Sequence, residues 1–145
     1  MFSNTCKYGI RAVVYIAGNS KNGENIGIKK ISEDLNLPMS FLAKILQQMA
    51  KKKILNSSKG PHGGFSLARE PEQIFIIEVV KAIDGDDVFR RCVLHNYDCV
   101  NNDLSRQKCT LHDDYVKSRL EIKILFESKT VYDLVTNANN SNALY

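Results

Sequence analysis

Apolar residues fall at three- and four-residue intervals along most of this chain, and glycine, proline and asparagine mark the breaks between those stretches. Over residues 5–18, Ile10, Val13, Val14 and Ala17 occupy i, i+3, i+4 and i+7, which predicts an amphipathic helix. The polar run from Asn19 to Asn25, carrying Gly23, predicts a loop. Ile28, Ile31 and Leu35 mark one face of a short second helix, broken at Asn36-Leu37-Pro38 because proline disfavours helical geometry in the residue before it. Ser40 is placed to cap a third helix, in which Leu42, Ile45, Leu46 and Met49 form the inward stripe.

The period then changes. Ile54–Ser58 and Phe65–Ala68 have strand character, and Lys59-Gly60-Pro61-His62-Gly63-Gly64 between them supplies the glycines and proline of a tight hairpin tip, with a lysine at its base. Two short helices joined by a turn and followed by a basic-tipped hairpin is the order of a winged helix-turn-helix. A fourth helix over Ile74–Asp84 rests on Ile77, Val80 and Ile83 and stops at Gly85. No periodicity runs from Asp86 to Lys108. A fifth helix over 113–128 begins with Asp113 and Asp114, which suit its positive end. Its Val116, Leu120, Ile122, Ile124, Leu125 and Phe126 spread too widely for a helix with one wet face, so burial against two neighbours is expected, one of them a second copy of the chain. Thr130 and Asp133 form a capping-box pattern ahead of a last turn through Val131, Leu134 and Val135. The expected fold is mainly α with a small β-wing: a winged-helix domain over residues 1–85, a cysteine-rich loop over 86–112, a dimerisation helix and terminal turn over 113–136, and a disordered Asn-rich tail over 137–145.

Charge sharpens this picture. Residues 1–70 carry a net +7 and residues 71–145 a net −3, which suggests a polyanion-binding half joined to a part with another task. An apolar share of 43% without any run of 18 apolar residues excludes a membrane-spanning helix. The opening Met1-Phe2-Ser3-Asn4-Thr5-Cys6-Lys7 lacks the apolar core of a signal peptide, so a cytoplasmic protein is expected. In a reducing compartment the cluster Cys92, Cys99 and Cys109 points to metal binding or redox sensing rather than a disulfide scaffold, while Cys6, standing alone, reads as a packing residue.

Three stretches resemble the IscR/NsrR/CymR family, the Rrf-two type of bacterial winged-helix transcription regulator: Lys7-Tyr8-Gly9-Ile10-Arg11-Ala12, the helix Ser40-Phe41-Leu42-Ala43-Lys44-Ile45-Leu46, and the wing Lys59-Gly60-Pro61-His62-Gly63-Gly64-Phe65-Ser66-Leu67. The likeness continues through Val80-Lys81-Ala82-Ile83-Asp84-Gly85 into the cysteine loop. It implies a homodimer on double-stranded DNA, paired through the long helix after the loop, with Phe41 packed on the DNA backbone. It also implies that three cysteines and a histidine in this arrangement hold a 2Fe–2S cluster.

The residues themselves allow more than one reading at each site. The face of the third helix with Ser40, Lys44, Gln47, Gln48 and Lys51 is either solvated or enters a major groove, where Gln pairs with adenine and Lys with guanine or phosphate. Arg11, Lys44, Lys51 and Lys59 are the expected phosphate contacts. Gly60, Pro61, Gly63 and Gly64 either serve a tight turn alone or let the tip follow a minor groove, with His62 a solvated tip residue. Cys92, Cys99, Cys109 and His112 suit an Fe–S centre, in which imidazole can replace a thiolate. The same set makes a tetrahedral zinc shell, or three buried thiols with no metal. The chain lacks a CxxC or a glycine-rich cofactor loop, so it is not expected to be an enzyme, and the remaining rival is a winged-helix module that binds protein instead of DNA.

Overall fold

The computed structural model describes residues 2–94 and 109–141. Helix α1 (Asn4–Asn19) is followed by α2 (Ile28–Leu35), α3 (Met39–Lys51), a hairpin of β1 (Leu55–Ser58) and β2 (Gly64–Leu67), then α4 (Ile76–Asp84), α5 (His112–Ser128) and α6 (Val131–Ser141). Short 3-10 turns at Pro71–Gln73 and Asp86–Phe89 flank α4. The core lies where α1, α2, α3 and α4 converge, with Val13, Ile16, Ile31, Leu42, Ile45, Leu46, Met49, Val79 and Val80 removed from solvent. All four residues of the inward stripe expected on α3 are among them.

The hairpin is antiparallel, with register from Leu55↔Leu67 to Ser58↔Gly64. It joins the helices through a bridge between Ile26 and Phe65, whose backbone groups exchange bonds of 2.9 and 3.0 Å. A Cβ on Gly64 would run into the Ile26 backbone, and one on Gly63 into the carbonyls of Ser58 and Gly60. Those two glycines are therefore demanded by the hairpin's own packing, whereas Gly60 faces open space and needs only its φ of +102°.

Helix α4 begins at Ile76 rather than Ile74, and three other boundaries differ from expectation for local reasons. Helix α2 is stopped by Asn36, left-handed at φ 52°, whose N–H bonds Glu33 O while Leu37 N–H bonds Ser32 O. This is a Schellman closure, and Pro38 lies beyond it. Ser40 does not cap α3: Pro38 holds the N-cap position, its carbonyl takes the N–H groups of Phe41 (3.1 Å) and Leu42 (3.0 Å), and no side chain caps the helix. The φ that proline fixes suits this entry, and Ser40 falls inside the first turn. Helix α6 continues to Ser141, into the segment expected to be a tail. Thr130 and Asp133 form the expected box there, with Thr130 N–H to Asp133 Oδ2 at 2.8 Å and Asp133 N–H to Thr130 Oγ1 at 3.2 Å. A nucleated and docked helix extends at little cost through weak formers such as asparagine.

Candidate nucleic-acid interface and cysteine loop

Helix α3 turns Ser40, Lys44, Gln47, Gln48 and Lys51 to the surface, opposite the buried stripe. Lys59, Gly60, Pro61 and His62 are exposed at the hairpin tip. Among the described residues Lys44, Lys51, Lys52, Lys53 and Lys59 form no ion pair, while Lys29, Lys30, Lys81 and Lys123 are matched to carboxylates. Lys7, Lys21, Lys117 and Lys129 also form no ion pair among the described residues but are scattered over other elements, whereas these five lie together on α3, its C-terminal end and the wing. Such an arrangement can take up phosphate without first breaking an internal pair.

Three residues expected at this surface have internal partners. The Gln48 carboxamide donates to Ala82 O at 2.9 Å, capping one of the last carbonyls of α4. Arg11 is half-buried, with Nη2 3.5 Å from Leu35 O at the end of α2 and its guanidinium 5.9 Å from the Tyr8 ring centroid. Phe41 is half-buried and meets Tyr8 edge-on at 5.8 Å. Arg11, Tyr8 and Phe41 therefore set the angle between α1, α2 and α3. A further tie, which periodicity could not reveal, joins Tyr15 of α1 to Asp34 of α2, with Lys30 bonding the same carboxylate at 2.9 Å. These bonds hold Asp34 below the usual carboxylate range, led by the bond from Tyr15.

The cysteine loop is anchored at both ends. Cys92 and Cys109, both half-buried, bring their sulfurs to 4.0 Å. The Cys109 carbonyl accepts the N–H of His112, the first residue of α5, at 3.0 Å. Cys99 lies outside the described residues, and among the described residues no group of three or more candidate ligands assembles. Two thiolates on one tetrahedral metal, each about 2.3 Å from it, stand about 3.8 Å apart, so the observed separation suits a shared centre. A cleft of about 470 Å³ beside Cys92 is lined by Phe2, Ser3, Asp84, Arg91 and Tyr115 among others. Cys6 is fully buried and takes no part in the loop; burial first, then the charge of Asp84 and a bond to it, push its thiol up to about 12.

Arg119, which the apolar pattern of α5 hid, is the one residue of that helix removed from solvent, at 3% exposure. Leu120, Ile124 and Leu125, by contrast, are more than half exposed at 53%, 54% and 51%. Val116, Ile122 and Phe126 are partly covered by the rest of the chain. The wide apolar spread thus divides into an inward part and an uncovered part.

Comparison with known proteins gives concordant results. The family described as "Rrf2: Iron-dependent Transcriptional regulator" matches residues 2–137. The HTH-type transcriptional regulator NsrR of Shouchella clausii is 30% identical over 138 residues, covering 94% of this chain and 89% of that protein. Among solved structures, CymR, the global cysteine regulator of B. subtilis, superposes with a TM-score of 0.77 at 20% identity, covering 94% of this chain and 97% of CymR. IscR of T. potens gives 0.72 at 21% identity, covering 95% and 88%.

Proposed function

The chain belongs to the Rrf2 family of transcriptional regulators, and from that premise we propose that it works as a homodimer whose grip on operator DNA is tuned by an iron–sulfur cluster held in the cysteine loop. The observation that carries the DNA part is the unpaired lysine set on α3 and the wing. In this reading α3 enters the major groove, with Gln47 and Lys44 reading base edges, Ser40 and Lys51 at its flanks, and the Lys59–Gly64 tip following the minor groove. Gln48, Arg11 and Phe41 hold α3 at its angle. With Lys44, Lys51 and Lys59 on each protomer the dimer makes about six phosphate contacts, so log K against log salt should fall with a slope of about −5. Fluorescence anisotropy on DNA selected from a random library tests this, and a slope near zero would remove the electrostatic basis of the reading.

For the loop, the support is the approach of Cys92 and Cys109 at the start of α5, together with the iron dependence named for the family. Cys92, Cys99, Cys109 and His112 would hold the cluster, which supplies a one-electron couple and a releasable clasp across the loop. The chain's own contribution is to set His112 as the first residue of the helix that pairs the protomers and to tie Cys109 just before it through the bond from His112 N–H, so that ligation there bears directly on α5. Zinc in the same shell would give a regulator with a structural clasp in place of a sensor. Absorption spectra of anaerobically purified protein, with iron, sulfide and zinc assayed together, separate the two: stoichiometric zinc without iron would end the cluster reading.

A further inference from the structure

We propose that Arg119 is the positioning residue through which the state of the cysteine loop reaches the pairing helix. Its Nη1 donates to the carbonyl of Arg91 at 2.9 Å, across 28 positions of sequence, and Arg91 directly precedes Cys92. Its guanidinium lies 5.4 Å from the centroid of Tyr115, one helical turn earlier on α5. At 3% exposure this cation has given up nearly all of its water. Among the described residues no carboxylate pairs with it. Burying a guanidinium in this way is costly unless its donors are met, so the bond to Arg91 is not idle surface decoration.

The surroundings give that bond somewhere to go. Arg91, Cys92 and Tyr115 line the same cleft of about 470 Å³, so the backbone at Cys92 has room to shift without overpacking a core. On the far side, α5 reaches the DNA-reading half through Phe126, 5.0 Å from Phe2, which in turn meets Phe89 at 5.8 Å and precedes Ser3 at the cap of α1. Separation of Cys92 from Cys109, which the structure holds together, therefore shifts the Arg91 carbonyl, and Arg119 passes that shift to α5. This rests on the reading of the loop as a sensor, but not on which metal it binds.

The test bridges the loop without metal. Phenylarsine oxide condenses with two neighbouring thiols, forming two As–S bonds and releasing water, and mass mapping assigns the Cys92–Cys109 bridge on metal-free protein. In the parent protein bridging should change DNA affinity by about fivefold or more and slow hydrogen exchange along α5. In Arg119→Met the bridge should still form, while affinity and exchange in α5 no longer respond to it; Arg119→Lys, which keeps the charge and a donor, should restore part of the response. Should Arg119→Met not fold, Arg119→Gln serves in the same comparison. An Arg119→Met protein that responds as the parent does would overturn the latch and leave sensing intact. A parent protein indifferent to the bridge would overturn the sensor reading itself, and the latch with it.

Discussion

The carboxamide of Gln48 donates to the carbonyl of Ala82 at 2.9 Å, tying the middle of α3 to the last turn of α4. Its neighbour Gln47 is exposed and has no such tie. A 100° step around the helix thus gives adjacent and chemically identical side chains opposite surroundings.

That difference predicts a clean separation. Gln48→Ala should lower the unfolding free energy by roughly 1 kcal/mol, the usual net value of such a bond, and leave the preferred DNA sequence unchanged. Gln47→Ala should leave stability within about 0.5 kcal/mol and relax the preference at one base pair. Urea unfolding and binding to a panel of single-base operator variants measure the two effects. Equal losses on operator and random DNA for Gln47→Ala would remove it as a base reader.

A second prediction concerns Lys53, held left-handed at φ 58° just after α3. Its N–H bonds Ala50 O at 3.0 Å and Ile54 N–H bonds Met49 O at 3.1 Å, so the turn cannot open without losing both. The left-handed strain on an L-residue outweighs the extra freedom glycine has when unfolded, so Lys53→Gly should gain roughly 0.5–1 kcal/mol. Lys53→Ala keeps the Cβ and should gain nothing. A stabilised alanine variant would show that charge, not backbone geometry, is what costs stability there.

Cys6 gives a prediction in pH. Its thiol titrates at about 12 in the folded chain against an ordinary 9.0, so its contribution to stability is complete below about pH 9 and is lost as pH rises toward 12. The stability difference between the parent protein and Cys6→Ala should therefore be constant up to about pH 9 and shift against the parent above it. In folded, metal-free protein at pH 8, alkylation should spare Cys6 and label the half-buried Cys92 and Cys109. Rapid labelling of Cys6 without denaturant would mean that the start of α1, where Ser3 N–H donates to Asp84 Oδ2 at 2.8 Å, opens readily.

Much of this was legible in the chain. The i, i+3, i+4, i+7 stripe of α3 and the Thr130–Asp133 box follow from local rules, and the structure reproduces them. What escaped were bonds between residues far apart in sequence: Gln48 to Ala82, Tyr15 to Asp34, Arg119 to Arg91. Periodicity reports which face of a helix is apolar, and says nothing of where a long polar side chain on that helix finds its partner. Arg119 shows the limit most clearly, a cation buried on a helix whose Leu120, Ile124 and Leu125 stand in water. Of the expected ligand set, Cys92 and Cys109 come together and His112 opens α5, while Cys99 lies outside the described residues.

The exposed part of α5 carries the last prediction. Leu120, Ile124 and Leu125 are each more than half open to solvent in the single chain, although they lie on a helix whose inward side is already satisfied by Arg119, Ile122 and Phe126. Aspartate at an exposed helical position costs the isolated chain little, but the same aspartate inside an apolar seam between two copies would be an unpaired buried charge. Leu120→Asp and Ile124→Asp should therefore keep their helical circular dichroism and sediment as monomers. Their DNA affinity should drop because two half-sites are no longer held together. The parent protein, if paired there, should also unfold at a temperature that rises with its concentration, and the variants should not. An Ile124→Asp protein that still sediments as a dimer and binds DNA as the parent does would place the seam on another surface.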